Sequence, residues 1–115
     1  VYPVISMQPG VTHGGSKKNL LGELAEESLV EHLSNDLQVT VDTGPTFLAH
    51  ASDDKSVPVE NSLLFYQALR KHIVPAALHI YEVGGHGFGL YLGDKPADRW
   101  PDQLEGWLKQ RKLIR

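Results

Sequence analysis

The stretch Thr46-Phe47-Leu48-Ala49-His50-Ala51-Ser52-Asp53-Asp54-Lys55-Ser56-Val57-Pro58 decides the fold. It begins after the punctuation Gly44-Pro45, runs as an apolar segment of strand length, and breaks into a short acidic turn. Pro58 suits the first position of a helix, where its missing N–H costs nothing and its fixed φ is already helical. Val59, Leu63, Tyr66, Leu69 and Ile73 then recur at helical spacing, which predicts a helix to about residue 72 with one buried face. Val74-Pro75 ends it, and Ala77-Leu78-His79-Ile80-Tyr81-Glu82-Val83 alternates as a strand does. Strand, turn, helix, strand is the βαβ unit from which parallel sheets are built.

Working outward, Val1-Tyr2-Pro3-Val4-Ile5-Ser6 reads as a further strand, apolar on both faces as a central strand is. The expectation is therefore an α/β architecture of three parallel strands with flanking helices. A strand of that kind left at a sheet edge invites another strand. The chain is accordingly expected to be a piece of a longer protein whose other half of the sheet belongs on that side. Residues 7–43 are polar and glycine-bearing, and are expected to form a cap or connecting segment within a single domain spanning 1–115. Inside it, Ser16 is expected to cap a short helix ending at Gly22, and a second helix to run from Glu26 or Glu27 to about Ser34. Gln38 to Val41 is extended but too short to count as a sheet member. At the other end, Pro101 is expected to open a last helix with Leu104, Trp107 and Leu108 as its apolar stripe.

The composition narrows the function. At 115 residues and 41% hydrophobic the chain can bury one modest core. A formal net charge of −3 supplies no basic field for a phosphate backbone, so nucleic acid is not an expected partner. No apolar run approaches the length of a membrane span, and no membrane partner is expected. The absence of cysteine excludes disulfides and thiolate metal sites among these residues, and leaves the compartment open.

Chemistry in open parallel sheets gathers at the carboxyl ends of the strands. Asp53 and Asp54 lie just past the strand that ends near His50. His86, wrapped in Gly84-Gly85-His86-Gly87-Phe88-Gly89, lies just past the next. One crossover brings both to the same rim, where a carboxylate can accept the Nδ1 proton of His86 and stabilise the imidazolium. The flanking glycines permit a tight loop. An acid and a histidine so placed are two members of a nucleophile–base–acid triad. The sequence holds no Gly-x-Ser-x-Gly and no cysteine, so the nucleophile is expected outside these residues.

Other signals are weaker. His79, Glu82 and His86 do not make a metal site, because alternation puts His79 and Glu82 on opposite faces. Gly85-x-Gly87-x-Gly89 lacks the helix start of a dinucleotide fingerprint, and residues 91–96 read as loop. Lys17, Lys18, Lys109, Arg111 and Lys112 read as solvated faces. His13, His32, His50 and His72 carry no signal separable from packing or surface.

The segment from Pro45 to Ser62 resembles the acid turn of α/β-hydrolase esterases, most closely the bacterial group of acetyl-xylan and feruloyl esterases. Gly84-Gly85-His86-Gly87-Phe88-Gly89-Leu90 is similar to their histidine loop. Tyr2-Pro3-Val4-Ile5-Ser6 and Thr12-His13-Gly14-Gly15-Ser16-Lys17-Lys18-Asn19-Leu20-Leu21-Gly22 resemble the strand and cap segment that precede it. In that family the acid is followed by two residues and then valine. Asp54-Lys55-Ser56-Val57 fits this spacing, and Asp53 falls one residue too early. The resemblance thus implies Asp54 as triad acid, His86 as general base and Asp53 as a turn former. It implies that the chain carries the sixth, seventh and eighth strands of the fold, with the serine elbow and the oxyanion loop upstream. His13-Gly14-Gly15-Ser16 is superficially similar to a lipase oxyanion motif, but it follows the wrong strand.

The implied activity is serine carboxylester hydrolysis, with short acyl groups on carbohydrates as substrate and no cofactor. Two alternatives stand beside it. One is a catalytically silent chain that pairs through its edge with a copy of itself or with an N-terminal half. The other is a related serine peptidase.

Overall fold

The computed structural model describes residues 1–91 and 93–115. Its centre is a two-stranded parallel sheet, β1 (Thr46–Ala51) and β2 (Ala76–Tyr81), in register from Thr46 opposite Ala76 to Ala51 opposite Tyr81. Among the described residues the helices are α1 (Gly14–Leu21), α2 (Glu27–His32), α3 (Glu60–Lys71) and α4 (Trp100–Gln110), of which α3 and α4 pack on the sheet. Short 3₁₀ turns lie at Asn35–Leu37 and Pro96–Arg99. Of the loop expected over 91–96, Leu92 lies outside the described residues.

Alternation along β1 feeds two cores. Leu48 points to one face and packs with Val39, Leu69 and Val74, flanked by Phe65 and Tyr66 of α3. Ala49 and Ala51 point to the other, with Tyr81, Phe88 and Ala97, flanked by Tyr2, Phe47 and Trp100. The sheet is therefore covered on both faces, which is why β1 reads as a continuous apolar run. Side chains such as Leu48, Leu69 and Val74 each contribute about 1.5–3 kcal/mol of transfer free energy when fully buried.

The opening segment corrects the expectation of three strands. Residues 1–6 lie alongside β1, with Tyr2 N donating to Ala49 O at 2.7 Å, but they do not form a strand. Beyond Tyr2 the segment does not continue the ladder. Pro3 has no amide donor, and the amides of Ile5 and Ser6 both go to Asn61 Oδ1 of α3, at 2.9 and 3.0 Å. Asn61 is fully buried, and its Nδ2 donates to Val11 O at 2.7 Å and Pro58 O at 3.0 Å. One side chain thus ties the opening segment to the start of α3.

Several element ends also differ from the sequence reading. His13, not Ser16, caps α1: its Nδ1 accepts the Ser16 amide at 3.2 Å and lies 3.0 Å from the Ser16 hydroxyl. Helix α2 stops at His32, and Ser34 beyond it is buried, its hydroxyl accepting the Met7 amide. Helix α3 begins at Glu60 because its first turn is tight, with Asn61 N donating to Pro58 O and Ser62 N to Val59 O. Ile73 is 90% exposed at φ 59°, having left the helix where the chain reverses toward β2. Strand β2 stops at Tyr81, since β1 turns away after Ser52 N meets Tyr81 O and leaves Glu82 and Val83 unpaired. Helix α4 starts one residue before Pro101.

Candidate active site

The acid turn and the histidine loop leave the carboxyl ends of β1 and β2 side by side. Asp54 is buried, and both of its oxygens are occupied. Oδ1 accepts the amides of Ser56 at 2.8 Å and Val57 at 2.9 Å, closing the turn on its own carboxylate. Oδ2 lies 2.8 Å from His86 Nδ1. Burial opposes the charge on Asp54 and is the largest single effect, but the Val57 amide, His86 and the Ser56 amide together outweigh it. The carboxyl is held below its ordinary range.

Asp53 does something different. Its Oδ1 accepts the backbone amides of Gly84 at 2.8 Å and Gly85 at 2.6 Å. The Gly85 amide is the main reason its carboxyl is also held low. The two neighbouring aspartates therefore grip the opposite loop at two levels, Asp53 by its backbone and Asp54 by its ring. Gly84 is required for this approach: a Cβ there would sit 2.8 Å from Ala97 Cβ and 2.9 Å from Ala51 Cβ. Gly85 and Gly87 turn the loop at φ 67° and 80°.

His86 is held from three sides. Asp54 takes Nδ1, the Tyr2 ring lies against it at 4.8 Å, and Phe88 anchors the loop in the core beneath, edge-on to Tyr2. Trp100 Nε1 donates to Gly89 O at 2.5 Å and fastens the far side of the loop. The His86 side chain remains 38% exposed, and among the described residues Nε2 has no hydrogen-bond partner. A neutral His86 that donates from Nδ1 presents its Nε2 lone pair to an incoming proton, which is the state of a general base.

The sequence reading missed His50. It is fully buried, with Nδ1 2.8 Å from Ser62 Oγ, and Nε2 3.0 Å from Val57 O and 3.3 Å from Asp54 Oδ2. Desolvation by burial pushes its pKa down and outweighs the opposing pull of Val57 and Asp54, so the ring is held neutral. The available signal was alternation, which puts His50 on the Leu48 face of β1 and toward the first turn of α3. His79 belongs to the opposite face, stacked on Phe47 at 5.0 Å. Among the described residues no group of three or more His, Asp or Glu side chains gathers in a metal-binding arrangement.

The sequence profile of the prolyl oligopeptidase family matches residues 5–111. The chain belongs to that family. Among curated relatives of this prolyl oligopeptidase-family chain is an acetylxylan esterase from Xylanibacter ruminicola. It is 37% identical over 112 residues, which cover 94% of this chain and 23% of the relative. Among solved structures, an acetyl ester-xyloside bifunctional hydrolase from Caldicellulosiruptor lactoaceticus superposes with TM-score 0.95 at 49% identity, covering 99% of this chain and 42% of that one. A carboxylesterase from Lactobacillus plantarum superposes with TM-score 0.79 at 28% identity, covering 99% of this chain and 44% of that one. The architecture is that of α/β-hydrolase esterases, and the chain spans under half the length of each of these proteins.

Proposed function

We propose that this chain supplies the base and the acid of a serine carboxylesterase, with short acyl esters on carbohydrates as the substrate class. The observation that carries this reading is the 2.8 Å contact between Asp54 Oδ2 and His86 Nδ1, at the rim where two parallel strands end. A serine from the part of the α/β-hydrolase fold that this chain does not span attacks the ester carbonyl. His86 Nε2 takes its proton and returns it to the leaving alcohol, and Asp54 stabilises the intervening imidazolium. Water then enters by the same base, and the acid departs. The acyl and sugar preference is supported by the relatives' descriptions, an acetylxylan esterase and an acetyl ester-xyloside hydrolase. The rest of the fold is proposed to seat beside the opening segment, on the side of β1 away from β2.

A peptidase reading is favoured by one observation, the name of the family whose profile matches. Acetylated xylo-oligosaccharides and a prolyl peptide, offered in parallel to the full encoded protein, separate the two. Acetate release without peptide cleavage is expected. The nucleophile is tested by treating that protein with a fluorophosphonate and mapping the adduct. A single modified serine beyond these 115 residues is expected, with labelling abolished in His86→Ala. An adduct on a serine within them, or labelling indifferent to His86, contradicts the proposal.

A further inference from the structure

The triad assignment leaves the buried imidazole of His50 without a role. It sits at the end of β1, 12 residues before Ser62 in sequence and directly against it in space. A carbonyl only accepts, so the 3.0 Å contact with Val57 O requires the proton of the neutral ring to be on Nε2. Nδ1 must then be the acceptor, and the Ser62 hydroxyl at 2.8 Å is the donor that supplies it. The same Nε2 nitrogen lies 3.3 Å from Asp54 Oδ2, the oxygen that receives His86.

We infer that His50 is a positioning residue for the proposed acid, its tautomer fixed by Ser62 and its Nε2–H acting on the Asp54 oxygen that holds His86. The inference rests on the triad reading above and extends it inward to α3. Both oxygens of the Asp54 carboxylate then have neighbours that set its orientation. Two backbone amides donate to Oδ1, His86 Nδ1 donates to Oδ2, and His50 Nε2, whose proton goes to Val57 O, lies 3.3 Å from that same Oδ2. Without His50, Oδ2 keeps only its contact with His86, and the carboxylate can rotate about the amide pair. Without Ser62, the Nδ1–H tautomer becomes accessible, which turns a lone pair of His50 toward both Val57 O and Asp54 Oδ2. A small misplacement of a catalytic base is costly in rate and leaves substrate binding intact.

The test uses ester hydrolysis by the full encoded protein. His50→Leu, which has similar bulk and no donor, is expected to lower kcat by roughly tenfold or more with KM within about twofold. His50→Gln, which keeps an amide donor, is expected to recover most of that loss. Ser62→Ala is expected to lower kcat by about threefold to tenfold without moving KM, and it carries the test if His50→Leu does not fold. The decisive comparison is the double variant. In an Asp54→Asn background, His50→Leu is expected to cost less than about twofold more, because its route to His86 is already cut. Additive losses, or unchanged kcat in both His50→Leu and Ser62→Ala, overturn the inference while leaving the triad intact. Unchanged kcat in Asp54→Asn alone overturns the triad reading, and the inference with it.

Discussion

Asp53 Oδ1 lies 2.6 Å from the backbone nitrogen of Gly85, so the acid turn holds the histidine loop one residue before the histidine itself. Asp54, next in the chain, reaches the His86 ring. Adjacent carboxylates of the same chemical type thus have separable tasks, and the difference is measurable.

Asp53→Ala removes the acceptor of two loop amides, those of Gly84 and Gly85. The expected result is a fall in kcat of roughly tenfold with KM little changed, since the loop that presents His86 is freed. Asp53→Asn keeps a neutral acceptor and is expected to lose less. Steady-state kinetics of the two variants check the order.

Gly84→Ala forces a methyl group against Ala97 and Ala51, at 2.8 and 2.9 Å. Overpacking of this kind costs about 1–3 kcal/mol. The urea midpoint should fall at an unchanged m-value, and an unchanged midpoint would show that the loop gives way freely.

Asn61→Ala leaves the buried amides of Ile5 and Ser6 without an acceptor, and Val11 O and Pro58 O without their Nδ2 donor. The expected loss of stability is about 2–4 kcal/mol, from desolvated groups left unpaired. Asn61→Asp keeps the acceptor and loses the donor, so equilibrium unfolding should find it destabilised as well.

Stability should fall with acid in two stages. Burial lowers the pKa of His50 in the folded state, so the unfolded chain binds its proton first as pH drops below about 6.5. That contribution is complete above this pH and is lost as pH falls through the lower folded-state value. Asp54 is also lowered, against burial, by the Val57 amide, His86 and the Ser56 amide. Its contribution is present above about pH 4 and is lost below it. Thermal melts from pH 8 to pH 3 should show both stages in the wild type, and His50→Gln should weaken the first.

The βαβ unit was legible because each of its signals is local. Gly44-Pro45 marks the start of β1, an apolar run fills it, and Val74-Pro75 separates α3 from β2. That Asp54 and His86 would meet was legible for the same reason: each follows a strand, and parallel pairing carries strand ends to one rim. What escaped depends on partners distant in sequence. Residues 1–6 have the hydrophobicity of a strand, but whether their amides join a ladder depends on Asn61, which takes two of them across 56 and 55 residues. His50 looks like any histidine in an apolar run until Ser62 and Asp54 are found around it. The cap of α1 was misplaced because Ser16 is a common capping residue and histidine a rare one, yet His13 Nδ1 is the atom facing the free amide.

The central claim is that Asp54 and His86 act together as acid and base. The most direct measurement is kcat for acetyl-ester hydrolysis by the full encoded protein carrying Asp54→Asn, His86→Ala or both. Each single change is expected to reduce kcat by roughly 10³–10⁴-fold, and the pair by little more than either alone. Turnover retained in His86→Ala, or a larger loss from Asp53→Asn than from Asp54→Asn, would contradict the account.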